Sequence, residues 1–328
     1  MVMQVSRRAF LTGIGTLAAT TNLPELHAAE PAPAGPDLSK SPFRIAVIND
    51  EIAQDFGHVC EIASRKFGMR WIELRSMWNK NVLNLDFHEI AEAQRILKRN
   101  ELRVTDIASP LFKVDWPGAP KSNFSEQGDQ FKSNFNFLQQ ADVLKRGIEL
   151  AKIFGTNRVR CFDFWRLDDQ RPYRAEMDQK LQHAAESAGQ AGIILLLENE
   201  PACNTATGAE AARTMSAVNS RSLMLNWDPG NAAARGENPY PDGYALLPKD
   251  RIGHCHCKDV VRKGDSYDWA AMGKGIIDWV GQFKALKADG YQYAVSLETH
   301  WRGAATAEAS TEQSWQGMKR ELQQAGVL

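Results

Sequence analysis

Two hydrophobic periods alternate along most of this 328-residue chain. Eight short runs carry the apolar, β-branched character of strands: Phe43–Asp50, Met69–Ser76, Leu102–Ser109, Asn157–Phe164, Gly192–Pro201, Ser222–Gly230, Arg251–Val260 and Tyr293–Thr299. Between most of them apolar residues recur every three or four positions, as on one face of a helix. Leu138, Ala141, Leu144, Ile148 and Ala151 form one such stripe, with Gly155 as its stop. Met177, Leu181, Ala184, Ala185 and Ala188 form another, ending near Gly189 and Gly192. Residues 86–99, 207–218, 277–288 and 309–324 are further helices. Alternation of this kind predicts parallel strands joined by right-handed crossovers. Eight units in succession predict an α/β fold, a closed (β/α)8 TIM barrel. A doubly wound open sheet is the alternative, and it is weakened because no G-x-G-x-x-G follows the first strand. Residues 110–133 lack periodicity and leave the C-terminal end of the third strand, the active face of a barrel. They are expected to form a lid or pocket wall presenting Phe112 and Trp116.

The first residues read as an address. Arg7 and Arg8 precede a mildly apolar run from Ala9 to Leu23, and small residues follow at Ala28 and Ala29. The core from Ser6 to Leu11, Ser-Arg-Arg-x-Phe-Leu, resembles a bacterial twin-arginine signal. Residues 1–29 are therefore expected to be a signal peptide, 30–42 a linker and 43–328 the barrel. The twin-arginine export machinery becomes an expected partner and the periplasm the destination. The apolar run is short for a span and carries Gly13 and Gly15, which favours cleavage over a retained membrane anchor.

Charge and cysteine content narrow the function. The formal net charge is −1, and loss of Arg7, Arg8 and Glu25 with the signal leaves −2. A partner held by gross positive charge, nucleic acid above all, is not expected. The five cysteines are odd in number and most sit in strand or helix patterns, as buried free thiols do. Nucleophilic catalysis has little support, since no G-x-S-x-G occurs and Cys203 has no evident His partner.

The chemistry collects at strand ends. The fifth strand ends in Glu198, the sixth in Asp228, the seventh carries His254 and His256, and the eighth ends in Glu298. Residues at this level of a barrel converge on its axis. A carboxylate following Ile-Ile-Leu-Leu-Leu is costly to bury alone. One divalent cation shared by Glu198, Asp228, His256 and Glu298 removes that cost. Three carboxylates and one imidazole suit Mn2+ first, with Mg2+, Co2+ or Zn2+ compatible.

The chain resembles the xylose-isomerase-like TIM-barrel superfamily of sugar isomerases and epimerases. The resemblance rests on Ile72-Glu73-Leu74, Glu198-Asn199, Trp227-Asp228-Pro229-Gly230-Asn231, His254-Cys-His256-Cys-Lys258-Asp259, the turn from Gly273 to Trp279 and Leu297-Glu298-Thr299-His300. It implies metal ligands at Glu198, Asp228, His256 and Glu298. His254 has the same strand parity as His256, which is favoured by its place before x-Lys-Asp. It also implies proton transfer next to a carbonyl through an enediolate, with Glu198 and Glu298 as the catalytic pair. Arg262 matches, by its spacing from His256, an arginine that holds substrate in the ketose 3-epimerase branch. Glu73, Asn231, Lys258 and His300 complete the expected substrate-binding set. Glu73 is read as a partner of a sugar hydroxyl or of Arg75. Asn231 departs from the His of that branch, and Asn204 stands where it commonly has Glu, so the pocket differs while the metal chemistry stays.

The expected partner is a small carbohydrate, and a homo-oligomer is compatible with the sequence. One alternative on the same metal site is a 3-keto-glycoside lyase or isomerase. A non-catalytic sugar-binding barrel is an alternative of another class. A class II apurinic endonuclease is disfavoured, because seven His are too few for its three zinc ions.

Overall fold

The computed structural model describes residues 37–125, 130–264 and 266–328. The expected signal peptide lies outside the described residues. Eight parallel strands form one sheet: β1 (Arg44–Val47), β2 (Trp71–Leu74), β3 (Arg103–Leu111), β4 (Arg158–Cys161), β5 (Ile194–Glu198), β6 (Leu223–Trp227), β7 (Ile252–Cys257) and β8 (Ala294–Leu297). From β2 to β8 each strand pairs with the next in sequence, and β8 pairs with β1. A parallel bridge between Ile48 and Glu73 brings β1 to β2, so the sheet is nearly closed into a barrel. Every strand lies inside a run expected from the sequence, save that β3 extends to Leu111.

Helices cover the outside: α1 (Phe56–Glu61), α2 (Phe87–Arg99), α3 (Gln140–Ile153), α4 (Arg174–Gln190), α5 (Gly208–Ala217), α6 (Pro229–Ala234), α7 (Trp279–Ala288) and α8 (Ala307–Gln324). Local chemistry sets their ends. Asp86 and Glu89 form a reciprocal capping box at the start of α2. Gly155, at φ +73°, follows α3 in the left-handed conformation that a side chain resists. In α4 the buried face is the expected stripe Met177, Leu181, Ala184, Ala185 and Ala188. In α3 the phase differs from expectation. A 3-10 turn over Phe137–Gln139 precedes the helix and rotates it, so Leu138 is exposed and Val143, Leu144, Gly147, Leu150 and Ala151 face the core. Gly147 is close-packed, since a Cβ there would stand 3.0 Å from Val159.

Among the described residues, no helix is long and apolar enough to cross a membrane. All five cysteines are free and buried, and Cys255 and Cys257 join the apolar core. Burial pushes the Cys203 thiol up, which removes it further from nucleophilic use.

The segment after β7 is a hairpin, Asp259–Lys263 against Ser266–Ala270, which the sequence pattern does not announce. Asp259 anchors the loop behind it by accepting from the amides of Gly273 and Gly275 at 3.1 and 2.9 Å. A Cβ on Gly275 would meet Asp259 Oδ1 at 2.0 Å, so glycine is required there. Beside this loop, burial and the Asp259 carboxylate push Glu321 of α8 up to about 8. An acid raised in the fold contributes stability that is complete below its unfolded value and lost as pH rises through about 8. Glu321→Gln is therefore expected to stabilise the protein by about 1 kcal/mol at pH 9, a Tm gain of about 2 °C. At pH 4 it should change Tm little. Thermal melts at the two pH values check both signs.

Candidate metal centre

The C-terminal ends of β5 to β8 place one acidic or imidazole side chain each at the barrel axis. Strand alternation turns His254, His256 and Lys258 to one face, and all three are fully buried. Glu198, Asp228, His256 and Glu298 offer ligand atoms that all lie within 4.8 Å of one another. His256 Nδ1 stands 3.1 Å from Glu198 Oε1, 3.3 Å from Glu298 Oε2 and 3.7 Å from Asp228 Oδ2. Atoms bound to one ion at about 2.1 Å stand about 3.0 Å apart on octahedral corners and about 3.4 Å apart on tetrahedral ones. The spacing and the hard donor set therefore fit a divalent cation. Asp228 Oδ2 also fits: it is buried and makes no well-aligned hydrogen bond, although Lys258 Nζ lies 2.8 Å away.

The chain supplies its own positive charge around these groups. Burial opposes ionisation of Glu198, but His256 and Arg160 outweigh it and hold the carboxyl at about 2. Burial would also drive His256 neutral, but Glu73, Glu198 and Glu298 hold its pKa well above the ordinary value. Arg160 Nη1 bonds Glu198 Oε2 at 3.0 Å. Arg75 bonds three carboxylates at once: Asp50 at 2.8 Å, Glu51 at 2.6 Å and Glu298 at 2.7 Å. Lys258 Nζ bridges Asp228 and Glu298. Its reach depends on Gly230, where a Cβ would meet Lys258 Cγ at 2.5 Å. The Asp228-Pro-Gly-Asn231 turn thus has a use for each residue: Asp228 accepts from the Asn231 amide at 2.9 Å, and Pro229 opens α6.

With this geometry in view, residues 62–321 match the family model described as xylose isomerase-like TIM barrel. The chain belongs to that family. Solved structures share the fold at low identity. A D-psicose 3-epimerase with D-tagatose from Clostridium cellulolyticum H10 is 15% identical, with a TM-score of 0.60 over 85% of this chain and 97% of that one. A xylose isomerase-like TIM barrel protein from Mycobacterium smegmatis in complex with magnesium is 17% identical, TM-score 0.61, over 87% and 99%. The probable 3-DHS dehydratase AsbF from Bacillus anthracis is 18% identical, TM-score 0.63, over 84% and 97%. No curated protein matches.

Within this xylose isomerase-like barrel the expected substrate residues fare differently. Asn231 donates to Glu198 at 3.3 Å, and His300 lies 3.2 Å from Glu298. Glu73 pairs with imidazoles and not with Arg75. It is fully buried beneath the cluster, 3.0 Å from His256 Nε2 and 3.1 Å from His254 Nε2. Arg262 lies on the β7 hairpin. The hairpin carries it to the surface, where its Nε donates to the Gly264 carbonyl at 3.3 Å. The segment 110–133 also contributes differently. Phe112 and Trp116 pack into an aromatic cluster with Phe137 and Phe164. Phe131 of this stretch meets the site's cations, and Lys113 joins them against its ring. The Phe131 ring lies 4.8, 4.2 and 4.7 Å from the cationic groups of Arg75, Lys113 and Arg160. Arg75 and Arg160, central to the site, carry only one sequence signal: charged residues at inward parity in apolar strands.

Proposed function

We propose that this chain is an exported sugar isomerase or epimerase that uses one divalent ion and moves a proton next to a carbonyl through an enediolate. The observation that carries the reading is the convergence of Glu198, Asp228, His256 and Glu298 on one buried locus. These four residues would hold the ion. When bound, it supplies Lewis-acid stabilisation for negative charge developing on the substrate oxygens.

The remaining work belongs to the side chains. Glu198 and Glu298 come from strands three positions apart around the barrel, so they approach a sugar from different sides. One would take the proton from carbon and later release it to water; the other, after taking a proton from water or a substrate hydroxyl, would deliver that proton to the second face. Arg160 and Arg75 fix their orientation through the 3.0 and 2.7 Å bonds. Lys258 and His300 add donors beside Glu298 for hydroxyl groups of the substrate. Asn231 takes a hydroxyl without titrating near neutral pH. Family relatives that include a sugar 3-epimerase support the carbohydrate class.

The test is a deuterium-exchange screen by NMR. Mn2+-loaded protein is incubated in D2O with ketoses and 3-keto-glycosides. Incorporation of deuterium at the carbon beside the carbonyl supports the reading, and an unlabelled panel contradicts it.

Glu73 has a supporting part. Its bond to His256 Nε2 leaves Nδ1 toward the cluster, the arrangement that orients metal-bound histidines. Glu73→Gln is expected to weaken Mn2+ affinity by about 10–100-fold, read by titration against a competing chelator.

A further inference from the structure

The four-ligand cluster sits at the C-terminal ends of the strands, and the opposite mouth of the barrel carries a different chemistry. Four successive strands open on Arg44, Trp71, Arg103 and Arg158, the first residues of β1, β2, β3 and β4. Register sets Trp71 level with Arg103. The guanidinium carbons of Arg44 and Arg103 lie 4.8 and 5.6 Å from the centroid of the Trp71 ring, so one indole holds both cations. A cavity of about 950 Å3 opens here, lined by Arg44, Arg70, Trp71, Lys98 and Arg103. Among the described residues that line it, Glu101 is the one carboxylate, and it already pairs with Arg70 at 2.5 Å. Among the described residues the side chains of Arg44, Lys98 and Arg103 form no hydrogen bond and no ion pair. Arg158 adds charge close by without lining the cavity. It is 6% exposed, its Cζ lies 4.3 Å from the Tyr293 ring centroid, and its buried Nε has no hydrogen-bond partner. Burial pushes the Arg158 pKa down, and the charge of Arg44 adds to that shift.

We propose that this mouth is a binding site for a phosphate monoester, separate from the metal centre. The inference goes beyond the sugar reading and does not rest on it. Like charges gathered this closely repel, and among the described residues lining the cavity there is no free carboxylate to offset them. A doubly charged oxyanion would offset them, whereas a single carboxylate leaves cations unmatched. Guanidinium forks meet phosphate oxygens two at a time. Because the Trp71 ring already holds two of the forks, little side-chain freedom is lost on binding. The cavity is larger than a bare phosphate, which leaves room for the organic part of an ester beside Leu38, Pro42 and Leu102. Barrel enzymes keep their chemistry at the C-terminal face, so the site binds and does not react.

The experiment measures binding to the metal-free full chain. Glycerol 3-phosphate in solution, followed by calorimetry, and phosphatidic acid in phosphatidylcholine vesicles, followed by co-sedimentation, present the same head from two sources. At least one is expected to bind tenfold or more tightly than its control, which is acetate for the soluble ester and plain phosphatidylcholine vesicles for the lipid. The one that binds identifies the source. Arg44→Met, and independently Arg103→Met, should each weaken that binding by tenfold or more, while Co2+ binds both variants as it binds the native protein. Binding of neither probe above its control overturns the proposal, as does an affinity that survives in both variants. Failure of the metal reading shows separately: Co2+ would not bind the native protein, while oxyanion binding and its loss in the variants would persist.

Discussion

Glu298→Gln is expected to lower turnover by about 10²–10⁴-fold on whichever ketose or keto-glycoside takes up deuterium, with Glu198→Gln losing a similar factor. Glutamine keeps the size and one oxygen of the side chain, so the protein should fold and still bind an ion more weakly. It cannot accept or return a proton. The two variants should differ in what remains. With two carboxylates working on different sides of the sugar, loss of one stops the overall conversion. The other can still remove and replace the proton on its own side. Each variant should then wash deuterium into one epimer or isomer only, and not the same one. The readout is kcat together with the position of label. Turnover above a tenth of the native value in both variants would limit these glutamates to holding the ion.

Arg75 carries the second large effect, on stability. Its guanidinium serves Asp50, Glu51 and Glu298 through bonds of 2.6–2.8 Å, and all four side chains are largely buried. Burial opposes ionisation of Glu51, yet Arg75, His300 and Arg302 hold its carboxyl at about 2. Arg75→Met leaves three buried carboxylates short of a partner, at a cost of about 3–5 kcal/mol. That corresponds to a fall in Tm of about 10 °C. Arg75→Lys should recover only part, since a point charge cannot span three acceptors in a planar fork. Urea denaturation of the three proteins checks this. A loss below about 1 kcal/mol in Arg75→Met would mean that water or rearranged neighbours solvate the carboxylates.

Much of this site can be read from the chain because strand parity is strict. Glu198 follows five apolar residues, and Asp228, His256 and Glu298 recur at the equivalent level of the next three strands. A period of two makes His254, His256 and Lys258 share a face, and the structure keeps them there. Where the chain leaves regular strands, parity loses its force. Arg262 sits four residues past Lys258, beyond the end of β7, and the hairpin turns it outward. Phe112 and Trp116 follow β3 in sequence, but Phe164 and Phe137 capture them for packing. Phe131 reaches the cations through a loop whose path depends on tertiary bonds. Asn81 Nδ2 donates to the Phe131 carbonyl at 2.9 Å from a short hairpin fifty positions earlier. Glu73 ends β2 at the expected level, and only the fold shows that two imidazoles claim it.

The central claim is that one ion joins four side chains drawn from four strands. Titration of the metal-free protein with Co2+, followed by visible absorption, tests it most directly. Three carboxylates and one imidazole should give weak d–d bands that saturate at one equivalent, with release of a proton from His256 as its Nδ1 gives up hydrogen for metal. Asp228→Asn should lower the affinity at least tenfold and shift the bands. An absence of Co2+ bands in the native protein, or bands unchanged in both position and affinity in Asp228→Asn, would contradict the account.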